Sequence, residues 1–580
     1  MPAPYFQLWS DLSHLRRLAV LTTVLGLASL AACYSDSSGI EPPVTSMYYP
    51  TGLAVSKGGG VLYVANSDFD LKYNGGTLQS YDLTSIRRHA ALTILNPQDP
   101  DLPLVRAASG PCSSTVPIEK NDGSGDRQPL GETCAPPTDS TRYVQDTAIV
   151  SAFANDLEFS PSKNRLFFPV SGNASVMWAD VEPDDSSKGA TSTNFTIGCG
   201  TRTNNRCDDG HQAGASATEP GNTRGITLPG QPFGMAFTED GTGLAITHQV
   251  DTVASLLSTG LSSTGVRVSA PSLQFLVSEI PNGSTGIALV PHDADAYDEC
   301  IDSPTSSACL AAMPKPAFLK TSKIESTLAL LRYYADEGGQ GTSSLYRPYL
   351  AFERLYPIAV TSIGIDERGL AMDASERIAC KTQAALLSGE ARRATIRACA
   401  RLPARVFIAN RSTSSSYGGL LVGEIGATAA DGSYDADALR IVSSIPLLGG
   451  PSRIHLAPIV DVDGRYSLRV FVVAFDSNRV VVVNPETQQV EATIVVGQGP
   501  FAMAFDPVSV DDVARRELVP DDARFAQDPK VKLKRYRFGY IASFTRSYVQ
   551  AIDLDNTSMS STFERVVFTL GDPSALAVSK

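Results

Sequence analysis

The chain has 580 residues, 43% of them apolar, and a formal net charge of −13. An acidic balance of this size repels a phosphate backbone and argues against nucleic acid as a partner. The apolar pool can fill a large core, and 46 glycines with 37 prolines interrupt it at short intervals, a composition that points to many short strands.

At the N-terminus Arg16-Arg17 precede an apolar run from Leu18 to Leu30, which ends in Leu30-Ala31-Ala32-Cys33. Positive charge ahead of the run holds that end on the cytoplasmic side, and small residues before the cut admit a peptidase to the backbone. The run falls short of the roughly 20 apolar residues that a membrane-spanning helix needs. A small-small-Cys pattern directly after the apolar core resembles the signal of bacterial lipoproteins. The resemblance implies removal of residues 1–32, lipid attachment at Cys33 and a flexible tether over 33–47. It also implies an envelope address, most simply the outer membrane facing the periplasm or the cell surface, with the membrane reached through Cys33. No flanking pattern supports a twin-arginine reading of Arg16-Arg17.

Residues 48–580 are expected to form one domain built on an internal repeat. Pro50-Thr51-Gly52-Leu53-Ala54-Val55-Ser56-Lys57 returns almost unchanged as Pro573-Ser574-Ala575-Leu576-Ala577-Val578-Ser579-Lys580. Variants occur at Pro232-Phe233-Gly234-Met235-Ala236-Phe237, at Pro451-Ser452-Arg453-Ile454-His455-Leu456-Ala457 and at Pro500-Phe501-Ala502-Met503-Ala504-Phe505. The clearest unit, 451–499, reads as strands over 452–457, 468–475, 479–483 and 490–496. The next repeats the plan over 501–506, 540–544, 548–554 and 565–570. A unit of this length falls within the roughly 40 to 50 residues of a propeller blade. Val480-Val481-Val482-Val483 and Val470-Phe471-Val472-Val473-Ala474 are apolar throughout, as strands covered on both faces must be. Gly52-Leu53-Ala54-Val55 and Gly286-Ile287-Ala288-Leu289 are smaller, which suits the innermost strands where blades converge. Innermost strands beginning near 50, 156, 232, 285, 368, 451 and 500 give a seven-bladed β-propeller of four-stranded antiparallel blades. The eighth copy is expected to pair beside the first blade through Ala575 to Ser579 and to help seal the ring.

The second strands share Tyr63-Val64-Ala65-Asn66, Phe407-Ile408-Ala409-Asn410 and Tyr540-Ile541-Ala542-Ser543, and third strands end in Tyr81-Asp82-Leu83, Ala179-Asp180-Val181 and Ile552-Asp553-Leu554. With these phrases the chain resembles the YVTN-type β-propeller repeat proteins, and long insertions interrupt the pattern from 293 to 405.

Five long loops, 96–142, 183–223, 293–320, 374–402 and 507–535, carry the cysteines that remain after Cys33. An even count in an exported chain reads as disulfides, and sequence neighbours suggest Cys112 with Cys134, Cys199 with Cys207, Cys300 with Cys309, and Cys380 with Cys399. The last pair flanks two helical patterns broken near Ser388-Gly389, so a helical hairpin would bring its cysteines together. The pairs lack the spacing and companion histidines of zinc sites. These loops are the expected recognition surface.

No P-loop, nucleophile elbow, zincin helix or haem-attachment motif is present, and Trp178 is the one tryptophan beyond the signal segment. No catalytic, cofactor or metal residue is assigned. His89, His211, His248, His292 and His455 follow the signal segment, and of these His248, His292 and His455 lie at strand positions from which they could reach a channel mouth. Asp293-Ala294-Asp295-Ala296-Tyr297-Asp298-Glu299 and Asp461-Val462-Asp463-Gly464 lack the full pattern of a calcium loop and read as solvated acidic turns. Arg377, Lys381, Arg392, Arg393, Arg397 and Arg401 read as a solvated helical face. The leading expectation is therefore a non-catalytic scaffold that binds an envelope protein, a polysaccharide or a small ligand. The alternative is a lactonase-like hydrolase with its site at the channel mouth.

Overall fold

The computed structural model describes residues 39–95, 117–119, 127–129, 137–182, 184, 194–335, 348–358, 368–411, 418–447, 449–508, 513–515, 537–556 and 562–571. Seven antiparallel sheets follow one another along the chain, and in each the strands pair as a meander from the innermost outward. The innermost strands are Pro50–Val55, Glu158–Phe159, Pro232–Phe237, Ile287–Leu289, Leu370–Asp373, Pro451–Val460 and Pro500–Phe505, so the expected seven blades are present at the expected places. Blade six shows the plan best, with Pro451–Val460, Tyr466–Ala474, Arg479–Asn484 and Gln489–Val495.

Apolar side chains from facing blades meet in clusters between the sheets. Tyr63 and Ala65 of blade one pack with Leu166 and Phe168 of blade two, and Phe471 and Val480 of blade six pack with Ile541 and Ile552 of blade seven. Each blade is thus covered on both faces, which is why its central strands tolerate an unbroken apolar run. The small residues of the innermost strands have a steric cause. A Cβ on Gly52 would lie 2.5 Å from Leu157 Cβ, and one on Gly286 would lie 2.3 Å from the Arg368 carbonyl oxygen. The asparagine ending the second strand ties that strand end to its neighbour, since buried Asn66 donates to Thr77 Oγ1 at 3.0 Å and Gln79 Oε1 at 2.8 Å.

Blades one and seven share no strand among the described residues, and the copy at 573–580 lies outside them. They are joined in three other ways. Helix α1 (Leu83–Leu95) follows the third strand of blade one and buries Leu83, Ile86, Ala90, Ala91 and Leu92 in the cluster between the two blades. From that helix Arg87 forms an ion pair with Asp506 of blade seven, and Thr93 Oγ1 donates to the Val567 carbonyl at 3.0 Å. Finally Pro137–Asp139, from the long insertion of blade one, pairs in parallel with Thr569–Gly571 as a fifth strand on the outer edge of blade seven. Neither α1 nor this strand is expected from the repeat, although α1 carries its own signals: apolar residues at helical spacing and Asp82, which accepts from Ser85 N at 3.0 Å.

Disulfides join Cys199 to Cys207, Cys300 to Cys309 and Cys380 to Cys399, while Cys33, Cys112 and Cys134 lie outside the described residues. Among the described residues the remaining α-helices of a full turn or more are α2 (Ser307–Ala312), α3 (Ser375–Ala384) and α4 (Gly389–Ala400), and the last two form the expected hairpin. The acidic and basic segments of these insertions meet each other, partly buried at Lys381 and solvent-exposed, as expected, at Arg392 and Arg393. Lys381 Nζ lies 2.8 Å from Asp293 and 3.0 Å from Asp295, Arg397 lies 2.7 Å from Asp298, and Arg393 lies 2.8 Å from Asp302. Residues 461–464 form a tight turn between two strands, with Gly464 N donating to the Asp461 carbonyl at 2.9 Å. Part of the expected tether is docked: Met47 is buried, and the Val44 carbonyl accepts from Thr147 Oγ1 at 2.6 Å and Gln79 Nε2 at 3.1 Å.

Candidate functional site: a charged cavity on the ring axis

All seven innermost strands, or the residues leading into them, contribute to a central cavity of about 820 Å³. Its mouth lies at the ends of these strands, where Lys57, Pro161 and Pro507 are exposed. The walls are mostly small and apolar, and the polar groups are concentrated on blades two, six and seven.

Arg453 of blade six crosses the channel to the segment that enters blade two. Its Nη1 lies 2.9 Å from Asp156 Oδ2 and its Nη2 donates to the Asn155 carbonyl at 2.8 Å. The guanidinium plane also covers the rings of Phe501 and Phe233, at 4.2 and 4.9 Å from their centroids. Asp506 is held by Arg87, by Phe538 N at 3.1 Å and by Tyr540 OH at 3.2 Å. Two of the cavity's carboxylates therefore have cationic partners.

The other groups are less satisfied. Glu158 is half-buried and forms no ion pair among the described residues; burial first, and then the Asp156 carboxylate, push its carboxyl well above the ordinary carboxylate range. Burial, and next the charge of Arg453, lower His455 to about 3, leaving a neutral imidazole whose Nε2 is sealed from solvent with no partner among the described residues. Arg537 is buried, and its Nε donates to the Pro458 carbonyl at 2.7 Å. No carboxylate among the described residues lies within ion-pair distance of it, and burial lowers its pKa to about 10. Lys163 Nζ stands 5.1 Å from the Phe159 ring centroid, is likewise without an ion pair among the described residues, and is shifted down by burial. Among the lining residues Lys57, Lys163, Arg453 and Arg537 outnumber Asp156, Glu158 and Asp506, so the cavity carries excess positive charge inside an acidic protein.

At the opposite end of the channel stands an aromatic collar. Phe544 is 5.1 Å from both Tyr49 and Phe69 and 5.8 Å from Phe501, and Phe475 is 6.3 Å from Phe501, between ring centroids. Arg453 touches both regions, since it lines the cavity and stacks on two of the rings. Phe475 and Phe544 occupy the same repeat position, directly after the second strand, so aligning the units in phase would reveal this collar.

Only one of the three channel-mouth histidines reaches the cavity. His455 lines it, whereas His248 is fully buried in blade three, donating through Nδ1 to the Gly230 carbonyl at 3.0 Å and accepting from Ser255 Oγ at 2.8 Å. Burial lowers its pKa to about 4. His292 donates through Nε2 to Asp437 at 3.0 Å, between blades four and five. Of the remaining two, His89 bonds Tyr143 OH at 2.7 Å, and His211 lies on Trp178 with ring centroids 3.9 Å apart. No group of three potential metal ligands exists among the described residues. Of the charged cavity residues, Arg453 alone is legible in retrospect, because it breaks a phrase that carries Gly52 or Ala502 elsewhere.

No protein-family model and no curated protein matches the chain. Solved structures with a similar course include hydrazine synthase from Kuenenia stuttgartiensis, at 9% identity and TM-score 0.42, covering 91% of this chain and 99% of that one. The periplasmic gluconolactonase of Pseudomonas aeruginosa matches at 13% identity and TM-score 0.38, covering 79% and 89%. A protein from Lactobacillus plantarum matches at 11% identity and TM-score 0.36, covering 79% and 87%. At these values the likeness carries no argument about activity, and the fold assignment rests on the seven sheets themselves.

Proposed function

We propose that the protein is an exported, lipid-anchored propeller of the YVTN type that serves the bacterial cell envelope as a non-catalytic binding protein, with its central cavity as the recognition site. The observation that carries this reading is a cavity of about 820 Å³ framed by all seven blades, whose lining includes Glu158, Lys163 and Arg537 with no ion-pair partner among the described residues. That combination is the ordinary character of a small-ligand site. The insertions are a weaker choice than the sequence suggests, because the acidic and basic ones satisfy each other's charges. The lipobox around Cys33 supports the address.

Leu456→Trp adds bulk to the cavity wall without changing a charged residue. A screen of envelope metabolites by thermal shift should find a ligand that stabilises the parent protein and not this variant. Ligand at about 100 times its dissociation constant stabilises by about 2.7 kcal/mol. Hits that shift both proteins equally would point away from the cavity, to the loops and an envelope protein or polysaccharide. In the same preparations Cys33→Ala should leave the membrane fraction, and unchanged partitioning would end the lipoprotein reading.

One observation favours a hydrolase: Glu158, whose carboxyl burial raises, and His455, whose imidazole burial lowers, share the cavity as an acid and a base would. Against it, a group titrating near 3 is a weak general base. A lactonase would lose its rate with an aldonolactone by a hundredfold or more in Glu158→Gln, whereas equal rates in parent and variant would discard this reading.

A further inference from the structure

We infer that the cavity is an anion receptor, and that its ligand is a small organic molecule with at least two negative charges, held between Arg537 and Lys163. This inference rests on the cavity being the binding site. Moving a cation out of water is unfavourable unless an anion or a set of hydrogen bonds compensates it. Arginine cannot escape by losing its proton at ordinary pH. Arg87, equally buried and close to the same wall, follows the rule by pairing with Asp506. Arg537 does not, for among the described residues it keeps one hydrogen bond to the Pro458 carbonyl and a place 6.0 Å from the Tyr466 ring centroid, with no carboxylate contact. Asp506 acts on it only through longer-range attraction, since its oxygens are already engaged by Arg87, Tyr540 and Phe538 N. Lys163 supplies a second cation without an ion pair among the described residues in the same cavity, attracted only at longer range by Glu158, and exposed Lys57 stands at the mouth as a third cation on the approach.

Glu158 fits the same chemistry. A protonated Glu158 carboxyl can donate a hydrogen bond to an oxyanion, which an ionised one would repel. Asp156 stays matched by Arg453, and so does not cancel the field of Arg537 and Lys163. Glu158 faces Asp156, Lys163 and Arg453, with His455, Asp506, Arg537 and Lys57 elsewhere on the wall. Because burial raises its carboxyl, ionising it by raising the pH adds a negative charge beside the ligand and weakens binding.

Isothermal titration calorimetry on the purified protein, with citrate and inorganic phosphate as anionic probes and glucose and choline as neutral and cationic ones, tests the inference. Citrate should bind, with affinity at least tenfold weaker in Lys163→Met and in Arg537→Met, and several-fold weaker at pH 9 than at pH 7. Glucose and choline should give no heat. Arg537→Met is a buried change that can unfold the protein, so Lys163→Met, at a half-buried position, carries the decision, with near-ultraviolet circular dichroism confirming its fold. Glucose binding that Leu456→Trp abolishes, without citrate or phosphate binding, would overturn the anion inference and leave the cavity reading standing. Citrate binding indifferent to both Lys163→Met and Leu456→Trp would overturn both. Absence of heat with every probe would overturn the anion receptor, and the metabolite screen would then decide the cavity reading separately.

Discussion

Replacing Arg87 with methionine is expected to lower the unfolding free energy by about 3 to 5 kcal/mol, the usual effect of stranding one member of a buried ion pair. The partners come from opposite ends of the ring and are 419 residues apart in sequence, with side-chain exposures of 2% for Arg87 and 10% for Asp506. Without the guanidinium, Asp506 keeps its bonds from Phe538 N and Tyr540 OH but loses its charge partner, and the Gly59 carbonyl loses a donor at 3.0 Å. Because Arg87 joins blade one to blade seven, the variant should open at that seam before other blades melt. Hydrogen exchange should therefore rise first in α1 and in Val566–Gly571. Urea unfolding of Arg87→Met, of Asp506→Asn and of the double variant measures the coupling. A loss below about 1 kcal/mol, within the range of exposed pairs, would show that the pair does not hold the ring closed.

Asp437→Ala should cost about 3 kcal/mol by the same argument applied between blades four and five. Asp437 Oδ2 accepts from Arg332 at 2.5 Å and Oδ1 from His292 at 3.0 Å, while its backbone carbonyl accepts from Tyr356 OH at 2.6 Å. The cost stays near the lower end because Arg332 retains Glu353 at 2.9 Å and the Lys315 carbonyl at 2.7 Å. Burial alone would raise the Asp437 carboxyl, but hydrogen bonds from His292 and Arg332 outweigh it and hold the group below the ordinary carboxylate range. A carboxyl whose folded pKa is depressed stabilises the protein above its unfolded pKa of about 3.9 and loses that contribution as the pH falls through the folded value. The stability gap between parent and Asp437→Ala should accordingly be full at about pH 6 and shrink below about pH 4. A gap that stays constant in urea titrations down to about pH 3 would contradict this account.

The ring itself is visible in the sequence because a blade must repeat its local chemistry. Small residues mark the axis, unbroken valine runs mark strands covered on both faces, and the Tyr-Val-Ala-Asn phrase ends where Asn66 bonds to the adjacent strand. The hairpin of α3 and α4 is visible for a similar reason, since two helical patterns and two cysteines agree. What escapes is whatever depends on contacts between distant segments. The acidic run at 293–299 and the basic helices at 375–400 look solvated when taken singly, and only their docking shows that each neutralises the other. Histidine count likewise points to the wrong residues: His248 and His292 are consumed by neighbouring hydrogen bonds. The cavity's character comes instead from Glu158, Lys163, Arg453 and Arg537, which are scattered along the chain and share no spacing.

The short strand Pro137–Asp139 has a consequence for the order in which the protein can be made. It leaves the ribosome with the first blade, yet its partner Thr569–Gly571 is among the last described residues. Until those arrive, its backbone groups have no ladder to join and must stay hydrated, and the edge that will receive them does not yet exist. Closure is therefore a terminal event in the life of each molecule. Pairings of such separation form slowly, and loss of the final blade should leave an early segment without its partner rather than simply a shorter ring.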